Sequence, residues 1–298
     1  MKSYQGKTAV ITGAGSGFGL EVARLAAQRG MKLVLCDVQA DALERAAAEF
    51  EGHEVLAMRV DVSKAAEMEA LAAAVQQRFG APHFVFNNAG VGSGGLIWEN
   101  SLADWEWVLG VNLMGVVHGV RLFTPMMLAA ASADPAYEGH IVNTASMAGM
   151  VNAPNMGVYN VSKHAVVALS ETLYQDLALV TEQVHCSLLC PFFVPTGISQ
   201  SHRNRPGDLA PARPTKSQLV SQAMSEKAVA SGKVSAAEVA ALVFEAADAA
   251  RFYVFSHPKL LSGVQTRLED VMQLRNPSSP FKDKPELGHQ IAALLKAD

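Results

Sequence analysis

The feature of this sequence that most constrains its fold is a regular alternation of short β-branched runs with longer helical stretches. The first run, at 8–12, leads through a glycine-rich turn into a helix predicted at 17–29. Further strands are predicted at 31–37, 55–61, 83–88, 140–146, 184–190 and 251–256, and further helices at 41–50, 64–79, 103–130, 156–179 and 235–249. Strands that are apolar throughout, each followed by a helix, indicate a parallel sheet covered on both faces. The predicted fold is α/β, a single-domain Rossmann-type doubly wound parallel sheet of about seven strands with helices on both faces.

Two polar segments interrupt this alternation. Residues 196–233 contain three prolines and lack an apolar series of their own, so we expect a structureless stretch that forms a functional lid or is disordered. Residues 257–298 carry four more prolines and are predicted to be an extension on the surface. We therefore expect one domain, with a core at about 7–256, a lid insertion and a C-terminal extension.

Composition and charge exclude several classes of protein. Half of the 298 residues are hydrophobic and 17% are charged, which excludes a disordered chain. Lys and Arg number 24 against 28 Asp and Glu, so the net charge of −4 argues against nucleic-acid binding. Three cysteines make no disulfide framework, and nine histidines are scattered without metal-ligand spacing. The sequence shows neither a signal peptide nor an apolar run of about 18 residues, so we expect a cytoplasmic protein without membrane contact.

The glycine-rich turn at 12–19, TGAGSGFG, joins the first strand to its helix. Glycines let the backbone approach a phosphate closely, and the following helix N-terminus supplies unpaired N–H donors and partial positive charge. The alternative is a plain turn between strand and helix that binds nothing. The strand and helix on either side favour a dinucleotide site.

Acidic residues end the next two strands. The Asp37 carboxylate is positioned to accept hydrogen bonds from both adenosine ribose hydroxyls and to repel a 2′-phosphate. Val38 follows it and Ser16 lies in the turn, so no neighbouring base in the sequence would pair with that phosphate, and we predict NAD, with NADP less favoured. Asp61 and Val62 are predicted to meet the adenine, although Asp61 is equally suited to cap a helix.

Three side chains form a candidate catalytic group. Tyr159 and Lys163 are four residues apart on a predicted helix, hence on one face, and an ammonium nearby favours the phenolate. Such a tyrosine is a candidate general acid or base for a hydroxyl or carbonyl. Ser146 ends the fifth strand, where its hydroxyl is suited to hydrogen-bond the reacting oxygen. Taken singly, each has a structural alternative: the spacing of Tyr159 and Lys163 can arise by chance, and Ser146 can be an ordinary turn serine.

Together these residues resemble the classical short-chain dehydrogenase/reductase family. The resemblance runs from about residue 7 to residue 256, and its pieces stand in the family's order. They are the glycine turn, Asn87-Asn88-Ala89-Gly90, Asn112, Ser146, Tyr159-x3-Lys163 and Pro191-Phe192-Phe193-Val194-Pro195-Thr196.

The resemblance implies a role for each catalytic residue. Tyr159 would be the acid/base, Lys163 would lower its pKa and hold the nicotinamide ribose, and Ser146 would position the substrate oxygen. Asn112 would kink its helix and hold a water that links Lys163 to solvent. The family also implies a homotetramer or a homodimer.

The resemblance likewise implies the cofactor contacts. Asn88 to Gly90 would stabilise the sheet beside the adenosine ribose, and Thr196 would bind the carboxamide. The remaining predicted contacts come from the glycine turn and from the loops after the fourth and sixth strands, at Gly13, Ser16, Gly17, Phe18, Gly19, Ala89, Pro191 and Val194.

One departure from the family bears on the substrate. Phe192 stands where the family usually has glycine, so we expect the loop beside the nicotinamide to run differently. Family geometry predicts a substrate pocket formed by Trp98, Met147, Met150, Phe192 and Phe193, which favours a bulky apolar or aromatic alcohol or ketone, unless half of these residues are core. Arg203 and Arg205 in the lid either pair with a substrate carboxylate or lie on a solvated loop.

The leading hypothesis is an NAD-dependent secondary-alcohol dehydrogenase or ketoreductase. One alternative is an NADP-dependent ketoreductase of the same fold, which calls for a base near Ser16 or Val38. The other is a non-catalytic dinucleotide-binding regulator. The presence of both Tyr159 and Lys163 argues against it.

Overall fold

All seven strands form one parallel sheet in the computed structural model, which describes residues 1–209, 213–282 and 285–296. Their order is β3-β2-β1-β4-β5-β6-β7. The bounds are β1 (Thr8–Thr12), β2 (Lys32–Asp37), β3 (Val55–Arg59), β4 (Phe84–Asn87), β5 (Gly139–Thr144), β6 (Val184–Cys190) and β7 (Tyr253–Phe255). The winding reverses between β1 and β4, which is where open sheets of this kind bind ligands. The predicted doubly wound α/β fold is confirmed.

Ten α-helices are described around this sheet. They are α1 (Gly17–Gln28), α2 (Ala40–Ala48), α3 (Ala65–Phe79), α4 (Leu102–Leu109), α5 (Gly115–Ala133), α6 (Gly157–Val180), α7 (Lys216–Ala230), α8 (Ala236–Asp248), α9 (Leu261–Met272) and α10 (Pro285–Lys296). On one face α1 and α8 bury Val22 and Phe244, whose ring stacks on Phe84 at 5.1 Å between centroids. On the other face α3 and α5 bury Met68 and Phe123 against the sheet.

The predicted helix at 103–130 is two helices joined by a π-helical turn, Gly110–Met114. By length and composition alone, the stretch Leu102–Ala133 is apolar enough to cross a membrane. Phe123 and Met127 are fully buried against the sheet, so packing in the protein core accounts for part of its apolar character.

The segment 196–233 is largely helical, so the expectation of a structureless stretch is wrong. It contains 3-10 turns at Gly197–Asn204 and Gly207–Leu209, followed by α7. Thr215 and Gln218 form a reciprocal capping box that starts α7. Residues 210–212 of the predicted lid lie outside the described residues.

The C-terminal extension is also helical. It folds into α9 and α10, and α10 packs against α7. Both tail helices lie at the carboxyl edge of the sheet and enclose space there, which positions the site described next.

Candidate active site

A cavity of about 2020 Å³ opens at the carboxyl edge of the sheet, at the switch point between β1 and β4. Its lining includes the glycine turn, Tyr159, and residues of α7, α9 and α10. Ordinary small-molecule pockets measure about 300–1,000 Å³, so this cavity has room for a dinucleotide and a sizeable second ligand.

The glycine turn has the geometry of a phosphate cradle. Gly13 and Gly17 have φ of 66° and 55°, a conformation that favours glycine. A Cβ on Gly19 would lie 2.0 Å from the Gly13 carbonyl oxygen, so only glycine lets α1 approach β1 this closely. Among the described residues, no side chain caps the N-terminus of α1 at Ser16, and its N–H donors face the cavity end. These features fit a pyrophosphate.

The end of β2 holds the predicted ribose carboxylate in a fixed position. Asp37 Oδ2 accepts the Gly15 N–H at 2.9 Å, and Oδ1 accepts the Gln39 N–H at 3.0 Å. Two arginines from distant parts of the sequence also reach this corner. Arg59 Nε donates to the Val38 carbonyl at 3.2 Å, and Arg203 Nε donates to Gln39 Oε1 at 3.2 Å. The inference that no base lies near Val38 is therefore wrong.

Asp61 and Val62 line the cavity after β3, and their contact with the adenine stays a prediction. The alternative, that Asp61 caps α3, is wrong because α3 begins after Lys64. Asp61 Oδ1 instead accepts hydrogen bonds from the N–H and the hydroxyl of Ser63 at 3.0 and 2.7 Å. This turn holds the carboxylate at the cavity wall.

Tyr159, Lys163 and Ser146 meet on the cavity floor. Lys163 Nζ lies 5.8 Å from the centre of the Tyr159 ring and donates to the Thr144 carbonyl at 2.9 Å. Burial lowers the pKa of Lys163 to about 8. Burial also raises the pKa of Tyr159 above its ordinary value, and the Ser146 hydroxyl opposes that shift. Burial outweighs the hydrogen bond from Ser146 in the protein alone, and the lowering of the pKa by Lys163 that the resemblance implies stays a prediction.

Asn112 connects the π turn to the rest of the site. Its Oδ1 accepts the Val91 N–H at 2.8 Å, and its Nδ2 donates to the Val91 carbonyl at 3.0 Å and to Ser162 Oγ at 3.1 Å. Gly90 lies between Asn112 and Lys163, since a Cβ there would be 3.4 Å from Asn112 Oδ1 and 3.6 Å from Lys163 Nζ. The predicted helix distortion at Asn112 is thus present.

The loop after β4 is tied to β1. The Thr12 hydroxyl accepts the N–H groups of Asn88 and Ala89 at 2.8 and 3.0 Å, and Asn88 Nδ2 donates to the Thr12 carbonyl at 3.0 Å. A Cβ on Gly13 would lie 3.0 Å from Ala89 Cα, so the two loops are in close contact. Asn88, Ala89 and Gly90 therefore all line the cavity beside the glycine turn.

Comparison with known proteins agrees with this geometry. Residues 7–207 match the family described as short chain dehydrogenase. The chain belongs to the short-chain dehydrogenase family. Members of this family are oxidoreductases, and the resemblance found in the sequence is confirmed.

One solved structure and two relatives illustrate how similar other members are. A short-chain dehydrogenase/reductase from Burkholderia phymatum, in complex with NAD, is 52% identical, has a TM-score of 0.91 and covers 94% of this chain and 99% of its own. The CLA biosynthesis dehydrogenase/reductase of Lactiplantibacillus plantarum is 32% identical over 91% of this chain and 95% of its own length. The 1-deoxy-11-beta-hydroxypentalenate dehydrogenase of Streptomyces avermitilis is 33% identical over 89% and 88%.

Phe192 departs from the family's usual glycine without backbone strain. Among the described residues, the non-glycine positions with positive φ are Asn155, Ala250 and Leu274, so Phe192 has an ordinary backbone conformation. Its N–H donates to Ser256 Oγ at 3.0 Å, and its ring contacts Phe193 at 4.5 Å between centroids. The predicted change of loop path therefore does not follow from steric conflict at Phe192.

Several predicted pocket residues do line the cavity, and two do not. Met147, Phe192 and Phe193 border it, together with Pro191, Val194 and Thr196, whose hydroxyl accepts the Ile198 N–H at 3.4 Å. Trp98 is 77% exposed and Met150 packs with the core, so both lie outside the cavity that the described residues form. Assigning them to the pocket was wrong, because proximity in sequence does not fix the direction of a side chain.

The lid arginines have protein partners. Arg205 Nη1 bonds Asp104 Oδ1 at 2.5 Å, and its guanidinium lies 5.1 Å from the Trp107 ring centre. Arg203 contacts Gln39 and Gln200 rather than the substrate end. Neither prediction for Arg205 holds, because it is a mostly buried structural residue that pairs with α4.

This short-chain dehydrogenase also has an apolar cavity wall that was not predicted from its sequence. The lid helix and the tail supply it, through Leu219, Val220, Met224, Leu260, Leu287, Ile291 and Leu294. The available signals were the capping box before α7 and the three- and four-residue spacing of apolar side chains in the tail. Among the described residues, no group of three or more His, Cys, Asp or Glu is arranged to hold a metal ion.

Proposed function

We propose that this protein is an NAD-dependent dehydrogenase or ketoreductase that acts on a secondary alcohol or its ketone, with a bulky apolar or aromatic body. The observation that carries the proposal is the convergence of Tyr159, Lys163 and Ser146 on one cavity that extends to Asp37. A phenol, an ammonium and a hydroxyl around one point can exchange a proton with a substrate oxygen and hydrogen-bond it in place.

In this proposal the side chains have distinct tasks. In the oxidative direction the Tyr159 oxygen removes the proton of the substrate hydroxyl, and in the reductive direction it returns a proton. Ser146 hydrogen-bonds the same substrate oxygen. Lys163, held by the Thr144 carbonyl, places its ammonium beside Tyr159 and favours the phenolate. When bound, the cofactor takes up or supplies the hydride and adds positive charge beside the phenol.

The proposed proton route passes Gly90. The missing side chain at Gly90 leaves Asn112 and Lys163 facing each other across it. A water held there would link the Lys163 ammonium to solvent, and the hydrogen bonds of Asn112 to Val91 would fix that position.

The proposed cofactor contacts rest on the cradle and the ribose corner. The glycine turn fits the pyrophosphate, Asp37 would accept both ribose hydroxyls, and Thr196 would bind the carboxamide. The NAD complex of the Burkholderia phymatum relative supports the choice of NAD. An NADP-dependent ketoreductase remains the second candidate because Arg59 and Arg203 lie near Val38.

We also propose a homotetramer or homodimer in the cytoplasm. Exposed apolar side chains on α6, among them Tyr174, Leu179 and Val180, offer a surface for subunit contact. Sedimentation of the purified protein as a monomer would contradict this part of the proposal.

The Tyr159→Phe variant tests the function. We expect it to bind NAD as the wild type does, and to lose turnover of aromatic and alicyclic secondary alcohols by about a hundredfold or more, the contribution of a positioned acid/base. Val161→Ala, on the exposed side of the same helix, is the control. Unchanged turnover in Tyr159→Phe would refute the catalytic assignment, and absence of turnover in the wild type with NAD binding intact would favour the regulator.

A further inference from the structure

One face of α9 forms part of the cavity wall. Residues of α9 at three- and four-residue spacing border the cavity, namely Gly263, Thr266, Arg267, Asp270 and Val271, with Ser262 and the preceding Leu260 at the start of the helix. A Cβ on Gly263 would lie 3.7 Å from Val151 Cγ1, in the loop between Ser146 and Tyr159. Arg267 is one turn further along this face, about 6 Å along the helix axis.

Arg267 is a half-buried cation on this face without a counter-charge. Among the described residues, no side chain forms an ion pair or hydrogen bond with its guanidinium. The nearby carboxylate of Asp270 is already bound, by Arg275 at 2.9 Å and by the Ser278 N–H at 2.8 Å. Because Asp270 is paired with Arg275, the Arg267 guanidinium is the charge on this wall that no ion pair among the described residues neutralises.

The whole cavity is more basic than the protein. Eight Lys and Arg side chains but four Asp and no Glu border it among the described residues, whereas the chain has a net charge of −4. A dinucleotide accounts for the basic residues near the ribose corner. Three further cations, Lys227, Arg267 and Lys282, belong to the lid helix and the tail and border the same cavity.

Apolar side chains border the same cavity as this charge and the catalytic group, among them Met147, Val151, Leu219, Met224, Leu287 and Ile291. A largely apolar wall that also carries a cation matches a ligand with an apolar body and an anionic end.

We propose that the substrate carries an anionic group, a carboxylate or a phosphate, which Arg267 binds while the substrate oxygen lies at Tyr159. This inference rests on the proposed function and specifies its substrate class. Arg267 acts as a specificity-determining residue, because its guanidinium can bind either anion through two parallel hydrogen bonds.

The test is ligand binding to the full-length protein saturated with NADH. The probes are decanoate, decyl phosphate and methyl decanoate, titrated by calorimetry into wild type, Arg267→Met and Arg267→Lys. Lys259→Met is the control because Lys259 is an exposed cation of the tail outside the cavity lining.

We expect Arg267→Met to weaken binding of the anionic probe by at least about tenfold to about a hundredfold, since loss of even one hydrogen bond to a charged group has an effect of that size. Arg267→Lys should recover part of the lost affinity. Lys259→Met should bind the anionic probe as the wild type does, and the affinity for the uncharged ester should be the same in every variant. Tighter binding of decanoate than of decyl phosphate to the wild type would identify a carboxylate, and the reverse a phosphate.

Equal affinity of decanoate and decyl phosphate for wild type and Arg267→Met would overturn the inference, and so would failure of both anions to bind the wild type. The result of this binding test is independent of the turnover test of the proposed function, because anion binding is measured without turnover. If Tyr159→Phe keeps full turnover while Arg267→Met loses anion binding, the catalytic assignment fails and the anion site stands.

Discussion

The Asp37 carboxylate accepts the Gly15 N–H at 2.9 Å, so the acid that ends β2 is fixed directly to the glycine turn. A Cβ on Gly15 would lie 2.9 Å from the same oxygen, so this position is closed to larger residues without movement of Asp37. The phosphate cradle and the ribose corner are therefore one rigid unit.

This unit predicts the cofactor preference and how to change it. We expect calorimetry to show tighter binding of NAD than of NADP, because Asp37 repels a 2′-phosphate. Asp37→Asn should weaken NAD by about tenfold and strengthen NADP, since Arg59 and Arg203 flank the position that the phosphate would occupy. Asp41→Asn, on the exposed side of α2, is the control. Tighter binding of NADP by the wild type would contradict the assignment of Asp37.

The buried Lys163 should lower the free energy of unfolding. Burial lowers its pKa to about 8 from 10.5, so below about pH 8 the folded protein carries a buried ammonium at a cost of about 3 kcal/mol. Lys163→Met should raise the free energy of unfolding at pH 7 by about 1–2 kcal/mol, because the lost bond to the Thr144 carbonyl offsets part of the gain.

The pH dependence of this effect follows from the sign of the shift. Between about pH 8 and about pH 10.5 the unfolded chain binds more protons at this lysine than the folded one, so wild-type stability rises with pH there. The advantage of Lys163→Met should therefore shrink over that interval in urea titrations. An advantage that stays constant from pH 7 to pH 10.5 would show that the ammonium is not the cause.

The ion pair of Asp104 with Arg205 should hold the lid segment on α4. Burial raises the pKa of Asp104, but hydrogen bonds from Arg205 and Ser101 outweigh it and keep the pKa below its usual range. Asp104→Asn leaves Arg205 mostly buried without a counter-charge, and we expect a loss of about 3 kcal/mol and a raised KM.

Acid weakens this ion pair. The stabilisation is present above the ordinary aspartate pKa and lost as the pH falls through the lower folded value, so wild type and Asp104→Asn should converge in acid. Asp41→Asn removes a fully exposed pair with Arg45 and should leave the Tm unchanged. A Tm for Asp104→Asn equal to that of the wild type would count against a role in holding the lid.

Phe192 should determine substrate fit rather than loop conformation. Because its φ is not positive, Phe192→Ala and Phe192→Gly should alter the relative kcat/KM of large and small ketones to the same extent. The free energy of unfolding of Phe192→Gly should be lower than that of Phe192→Ala by about 0.5–1 kcal/mol, because glycine has the greater conformational entropy in the unfolded chain. Better NAD binding or higher turnover in the glycine variant alone would mean that the loop needs glycine's conformations after all.

The strands were predictable from the sequence, because buried parallel strands are continuous apolar runs. The grouping of the three candidate residues was predictable too, because Ser146 follows β5 closely and Tyr159 and Lys163 are one turn apart on a helix. The strand β6 agrees with its predicted bounds at both ends, Val184 and Cys190. Tyr159 and Lys163 share a helix, so their spacing alone brought them to one face.

What the sequence did not reveal depends on contacts between distant segments. Arg59 and Arg203 reach Val38 and Gln39 only through the pairing of β2 with β3 and the path of the lid. The helix α7 was hidden because prolines and polar residues surround it and its apolar residues follow no single face. The raised pKa of Tyr159 follows from burial, which no local pattern reports.

The position of the substrate wall along the chain has an evolutionary consequence. The match to the family ends at residue 207, whereas α7, α9 and α10, which close the substrate end, all lie beyond it. Mutations in these last helices can change the molecule that is recognised while the cradle and the proton-transfer group stay intact. Two proteins that share the first two hundred residues can therefore differ in the substrates they accept.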